Sequence, residues 1–210
     1  MPATSLSEWD ARHRSAANGT IAEPASFVRE LLPLLPRGPA LDIACGTGRH
    51  ALLLAARRQH VTAVDGSSVA LEAIEQLARA SNQPTRRAQD MEAIATSRPG
   101  IDLVYADLER TTLPSNSFAL ILCVHYLQRS LFPQIERALT FGGMLLFETY
   151  TRDQLEFEAG PKNPDYLLEP GELRVAFPSL RLVFYRELRA GKGIASLIAQ
   201  KPLLSNAQQR

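Results

Sequence analysis

Ala40-Leu41-Asp42-Ile43-Ala44-Cys45-Gly46-Thr47-Gly48-Arg49-His50-Ala51 is the stretch on which the reading of this chain turns. An apolar strand carrying one acid runs into a Gly-x-Gly turn, and an amphipathic helix follows. Glycines at such a junction let a ligand lie against bare backbone, beside the free N–H groups of a helix start. Units of this kind hold nucleoside-containing cofactors, and the remaining motifs have to say which one.

Outward from this stretch, strand-like runs at 40–45, 60–65, 101–107, 118–124 and 144–150 alternate with helix-like runs at 49–58, 69–80 and 131–139. Before them, 9–13 and 24–35 read as short helical pieces, closed by Pro33, Pro36 and Pro39. Mostly apolar strands separated by single helices predict a parallel sheet covered on both faces, with its ligand crevice at the carboxyl ends of the strands. After residue 150 the pattern changes. Pro170-Gly171-Glu172-Leu173 opens a short helix, and strands at 180–188 and 194–200 flank Ala190-Gly191-Lys192-Gly193. So short a turn forces antiparallel pairing. The expected fold is α/β and doubly wound, a mostly parallel seven-stranded sheet ending in an antiparallel hairpin. The expected organisation is a helical segment 1–39, an α/β domain 40–204 and a tail 205–210.

Composition narrows the function classes. With 210 residues, 45% hydrophobic and 21% charged, the chain is an ordinary globular protein with one core. A formal net charge of +1 gives no reason to expect a nucleic-acid or membrane partner. The start lacks a basic region followed by an apolar one, and the longest purely apolar run, 118–124, is too short to span a bilayer, so a cytoplasmic protein is expected. Cys45 and Cys123 sit in apolar runs and read as small hydrophobes without a disulfide. His13, His50, His60 and His125 show no metal-ligand spacing, and no metal is expected. Neither a Gly-x-Ser-x-Gly elbow nor a Walker phosphate loop occurs, which argues against hydrolase and nucleotidase chemistry. The sequence leaves the oligomeric state open.

Three acids fall at or near the ends of successive strands: Asp42, Asp65 and Asp107. Asp65 lies 19 residues beyond Gly46, where an acid can accept both hydroxyls of a ribose. Gly46-x-Gly48-x-x-Ala51 also fits the dinucleotide fingerprint, so an NAD-dependent oxidoreductase is one alternative. A pyrophosphate disfavours a carboxylate such as Asp42 just beneath the turn. A ligand with an ammonium and a sulfonium centre, a ribose and an adenine amine suits three acids better. S-adenosylmethionine is such a ligand.

These motifs, with Ala106-Asp107-Leu108 and Leu139-Thr140-Phe141-Gly142-Gly143-Met144-Leu145-Leu146-Phe147-Glu148-Thr149, resemble in order those of class I S-adenosylmethionine-dependent methyltransferases, a Rossmann-like family. The likeness covers about 40–150. Within the family, Trp9-Asp10-Ala11-Arg12-His13 and the ending 173–202 are most similar to the tellurite-resistance methyltransferase group, which implies a small-molecule substrate. The resemblance implies that Gly46 and Gly48 pass under the methionine part of the cofactor and that Asp42 contacts its amino group. It further implies that Asp65 holds the ribose, that Asp107 and the Leu108 backbone meet the adenine, and that Cys123-Val124-His125 passes near the transferred methyl. Ala44 and Gly66, in the same two turns, complete the expected cofactor contacts. The chain departs from the family in the longer path from Asp65 to Asp107, with 84–100 added.

Methyl transfer from a sulfonium chiefly needs alignment and exclusion of water, and a base only where the nucleophile must lose a proton. His125 is the candidate base or substrate contact, with Tyr126 beside it; a histidine hydrogen-bonded at a strand end is the structural alternative. Glu148 and Tyr150 are weaker candidates and read mainly as structural. Trp9 and His13 read as part of a lid or as packed on the domain, and Arg86 and Arg87 as a solvated face. The fourth strand ends in Cys-Val-His-Tyr and not in Asn/Asp-Pro-Pro-Tyr/Phe, so the chain does not resemble enzymes that methylate amide or base nitrogens through that motif. A non-catalytic module of the same fold is the second alternative.

Overall fold

A computed structural model describes residues 6–16, 22–91 and 98–204; the expected tail at 205–210 lies outside the described residues. The chain divides into two compact units, Met1–Thr112 and Leu113–Arg210.

In the first unit, helices α1 (Leu6–Ala16) and α2 (Ser26–Leu31) precede β1 (Ala40–Ile43), α3 (Arg49–Ala56), β2 (His60–Asp65), α4 (Ser68–Ala80), β3 (Thr85–Ala88) and β4 (Gly100–Tyr105). The strands lie in the order β3-β4-β2-β1, all parallel. Every residue of β1 and β2 is buried, which is why both read as unbroken runs and not as alternating ones. α4 starts where Ser67 turns its hydroxyl to accept from the Ala70 N–H at 3.1 Å, an N-cap.

The strand β3 corrects the expected seven strands to eight. Thr85-Arg86-Arg87-Ala88 carries no apolar run, so nothing in its pattern announced a strand. It pairs with β4 from Thr85↔Ile101 to Ala88↔Val104. Arg86 is likewise no solvated face: its Nε donates to Oδ1 of buried Asp102 at 2.6 Å, while His60 Nε2 lies 2.6 Å from Oδ2. Arg87 meets Glu75 at 2.9 Å on the half-exposed side.

In the second unit, β5 (Phe118–Val124) and β6 (Leu139–Tyr150) are parallel and joined through α5 (Phe132–Ala138). After the short helix α6 (Glu172–Val175), β7 (Arg181–Arg189) and β8 (Gly193–Gln200) form the antiparallel hairpin expected from the glycine turn. β8 inserts beside β6, giving the order β5-β6-β8-β7. Phe132, Phe147 and Phe177 pack with ring centroids 5.0 to 5.8 Å apart beneath this sheet, the spacing aromatic pairs favour. β6 begins at Leu139, five residues earlier than its apolar pattern, because Thr140 to Gly143 form an irregularity against β5. Eight strands, mostly parallel with an antiparallel C-terminal pair and flanking helices, make the doubly wound architecture.

Candidate functional site

The glycine turn is built by left-handed backbone. β1 ends because Ala44 (φ +52°) leaves the extended region, and Gly46 (φ +53°) and Gly48 (φ +81°) complete the reversal into α3. At Gly48 a Cβ would stand 2.5 Å from Ile74 Cγ1 of α4, so this position needs glycine for packing as well as for its φ. At Gly46 a Cβ would meet His13 Cε1 at 3.4 Å, which puts α1 over the turn.

Asp65 closes the turn from the other side. Gly46 N–H donates to its Oδ2 at 2.8 Å and Ser67 N–H to its Oδ1 at 2.9 Å. Ser67 Oγ in turn donates to Asp10 of α1 at 2.5 Å. Burial pushes the Asp65 carboxyl above its ordinary pKa; the two backbone hydrogen bonds and the charge of His13 oppose that rise, and Asp10 adds to it. Asp65 thus organises the turn itself. Gly66, half-buried, separates it from Ser67.

Asp42 is 1% exposed, within β1, and its Oδ2 has no hydrogen-bond partner among the described residues. Burial raises its pKa from 3.8 to about 7, against a backbone hydrogen bond from Ala51 and the charge of Arg49. An orphaned buried carboxyl oxygen beneath a glycine turn suits a ligand bearing a cationic amine, and this is the fit that the ammonium of S-adenosylmethionine requires. Burial also raises the Cys45 thiol, so the cysteine in the turn is inert packing.

Asp107 stands exposed after β4, its Oδ1 accepting from Glu109 N–H at 3.0 Å, so it caps the turn that carries buried Leu108. Beside it a recess of about 410 Å³ is lined by Asp90, Met91, Tyr105, Ala106, Thr111 and Thr112, among others. Sequence reading passed over Asp90-Met91. Its signal was there: the pair repeats the acid-apolar step of Asp107-Leu108, after the neighbouring strand.

In the second unit, Cys123 is buried in β5 with its Sγ 3.7 Å from the Tyr126 carbonyl. His125 follows with φ +60°, a conformation that a residue with a Cβ adopts at a cost, and its N–H donates to the Glu148 carbonyl at 2.7 Å. The Tyr126 hydroxyl is bonded to Gln128. The His125 ring lies 4.9 Å from that of Tyr150, and its Nε2 is 3.9 Å from Oε1 of buried Glu148. Among the described residues no group of three or more His, Cys, Asp or Glu could hold a metal ion. No helix among them is long and apolar enough to cross a membrane.

Residues 40–143 match the family model described as a methyltransferase domain. The chain thus carries a methyltransferase domain, and the cofactor of that domain is S-adenosylmethionine. In fold it is similar to TehB from Haemophilus influenzae, at a TM-score of 0.66 and 17% identity over 89% of this chain and 65% of that one. The [4+2]-cyclase SpnF is similar at 0.66 and 17%, over 93% of each chain. A S-adenosylmethionine-dependent methyltransferase from Methanosarcina mazei is similar at 0.59 and 19%, over 87% of this chain and all of that one. No curated protein gives a significant match.

Proposed function

We propose that this methyltransferase acts on a small-molecule acceptor, with Asp42, Ala44, Gly46, Gly48, Asp65, Gly66, Asp107, Leu108 and Cys123 toward the cofactor and His125 and Tyr126 toward the acceptor. The observation that carries the acceptor side is the strained backbone of His125, pinned by Glu148 at the end of β5. Strain retained at a strand end marks a position that the fold constrains for use.

The cofactor supplies an activated methyl on a good leaving group, so the protein's own work is binding, alignment and proton handling. Asp42 Oδ2 receives the amino group, Asp65 the ribose hydroxyls, and the recess beside Ala106 the adenine, with Asp90 as a second acid at that edge. His125 takes the proton of an acceptor that must lose one. Near-neutral charge and the missing Asn/Asp-Pro-Pro-Tyr/Phe motif favour a small acceptor over a nucleic acid.

The test is release of S-adenosylhomocysteine across a panel of small thiols, amines, hydroxylated metabolites and oxyanions. Turnover with one of them, reduced about 100-fold or more in His125→Gln, is expected, as for loss of a general base. Tight cofactor binding without turnover on any compound would support the non-catalytic module instead.

A further inference from the structure

A polar row crosses the sheet of the second unit. Register places Val124, Glu148, Ser196 and Arg186 side by side on β5, β6, β8 and β7. Arg186 Nε donates to Ser196 Oγ at 3.4 Å, and Ser196 Oγ–H donates to Glu148 Oε2 at 2.7 Å. The Arg186 guanidinium reaches within 4.0 Å of the same oxygen. The other oxygen, Oε1, faces His125 Nε2 at 3.9 Å. Glu148 is 2% exposed and Ser196 fully buried.

A carboxylate desolvated this far is costly unless its partners compensate, and a chain needing only packing there would place an aliphatic residue. Only one side of the carboxylate is used by the sheet, through Ser196 and Arg186. The other side is turned to His125, whose backbone N–H is already fastened to the Glu148 carbonyl. From these contacts we infer that Glu148 is the positioning residue of His125: it fixes the imidazole with the proton on Nε2 and raises the basicity of Nδ1, while Ser196 and Arg186 hold Glu148 in place. The inference rests on the proposed acceptor-side role of His125.

Titratable and charged groups facing the imidazole include Glu148 and Tyr150 from β6 and, behind Glu148, Arg186 from β7. At 3.9 Å the Nε2–Oε1 separation exceeds a hydrogen bond, so the coupling in the free protein is one of field. In the reaction the acceptor's lone pair forms the bond to the methyl carbon, the S–C pair stays on sulfur, and the acceptor's proton passes to Nδ1. The imidazolium so formed is stabilised by the carboxylate behind it. Which ring nitrogen is left free to accept the proton is set by the group that the other one faces.

The test is a pH titration of the full chain, labelled at histidine and free of cofactor and acceptor, with the His125 resonances assigned by loss in His125→Gln. Nitrogen shifts in the wild type are expected to show the Nε2–H tautomer. In Glu148→Gln the His125 midpoint is expected to fall by about one pH unit, a tenfold change in proton affinity, with the tautomers mixed. In Arg186→Met, on a half-exposed strand that tolerates change, the midpoint is expected to rise. A midpoint unmoved in Glu148→Gln, or an Nδ1–H tautomer in the wild type, overturns the inference. These readouts need no turnover. An unmoved midpoint therefore leaves the methyl-transfer proposal standing, whereas a failed acceptor panel with the shifts intact removes that proposal and not the coupling.

Discussion

Asp42 illustrates how far a single residue can be read. Its place beside the glycine turn is plain from the sequence, and a carboxylate there favours a cationic cofactor. Burial weakens that preference, because a carboxyl with a pKa of about 7 carries only part of its charge at neutral pH. A carboxyl whose folded pKa lies above its unfolded value of 3.8 favours folding fully below about pH 4. That contribution is lost as pH rises through 7, up to about 4 kcal/mol for three units. Denaturation of the cofactor-free protein at several pH values should therefore show stability declining from pH 4 to 8, and Asp42→Asn should flatten the decline. An identical pH profile in the variant would show that Asp42 titrates normally.

Among the elements, β3 is the one that the pattern concealed. Strand signals come from apolar alternation, and Thr85-Arg86-Arg87-Ala88 offers none. What makes it a strand is the partner across the ladder: Arg86 reaches Asp102 of β4, which also receives His60 of β2. Neither the buried acid nor the arginine makes sense until three strands stand side by side. Asp102→Ala leaves His60 and Arg86 without their carboxylate and should cost about 3 kcal/mol, less what water recovers at the third-exposed arginine. Urea unfolding measures the loss, and a cost under about 0.5 kcal/mol, the range of an ordinary surface change, would mean that the cluster is merely solvated. The C-terminal hairpin is the opposite case, legible in full because a short glycine turn leaves antiparallel pairing as the only geometry.

On the scale of the whole molecule, cofactor binding and stability are one equilibrium. S-adenosylhomocysteine at 100 times its dissociation constant should stabilise the chain by about 2.7 kcal/mol, whereas NADH should leave it unchanged. The reverse result would return the glycine turn to the dinucleotide reading. Asp65→Ala should weaken S-adenosylhomocysteine binding by about 1 to 3 kcal/mol in calorimetry. It removes both the proposed ribose acceptor and the anchor of the Gly46 N–H, so affinity and intrinsic stability fall together.

By itself the sequence determined the doubly wound class, the glycine turn, the three acids and the family, because these are local patterns: apolar runs, turn chemistry and fixed spacings. Tertiary structure alone decided what each acid does in the free protein. Asp65 ties Gly46 to Ser67, burial pushes the Asp42 carboxyl up to about 7, and Asp107 caps a surface turn. It alone brought Asp10 and His13 onto the turn, and Ser196 and Arg186 to Glu148. Burial and long-range pairing set these roles, and neither is encoded by any one segment. The glycine turn was legible as a motif, and its carboxyls acquired their charges and partners only when the strands assembled around it.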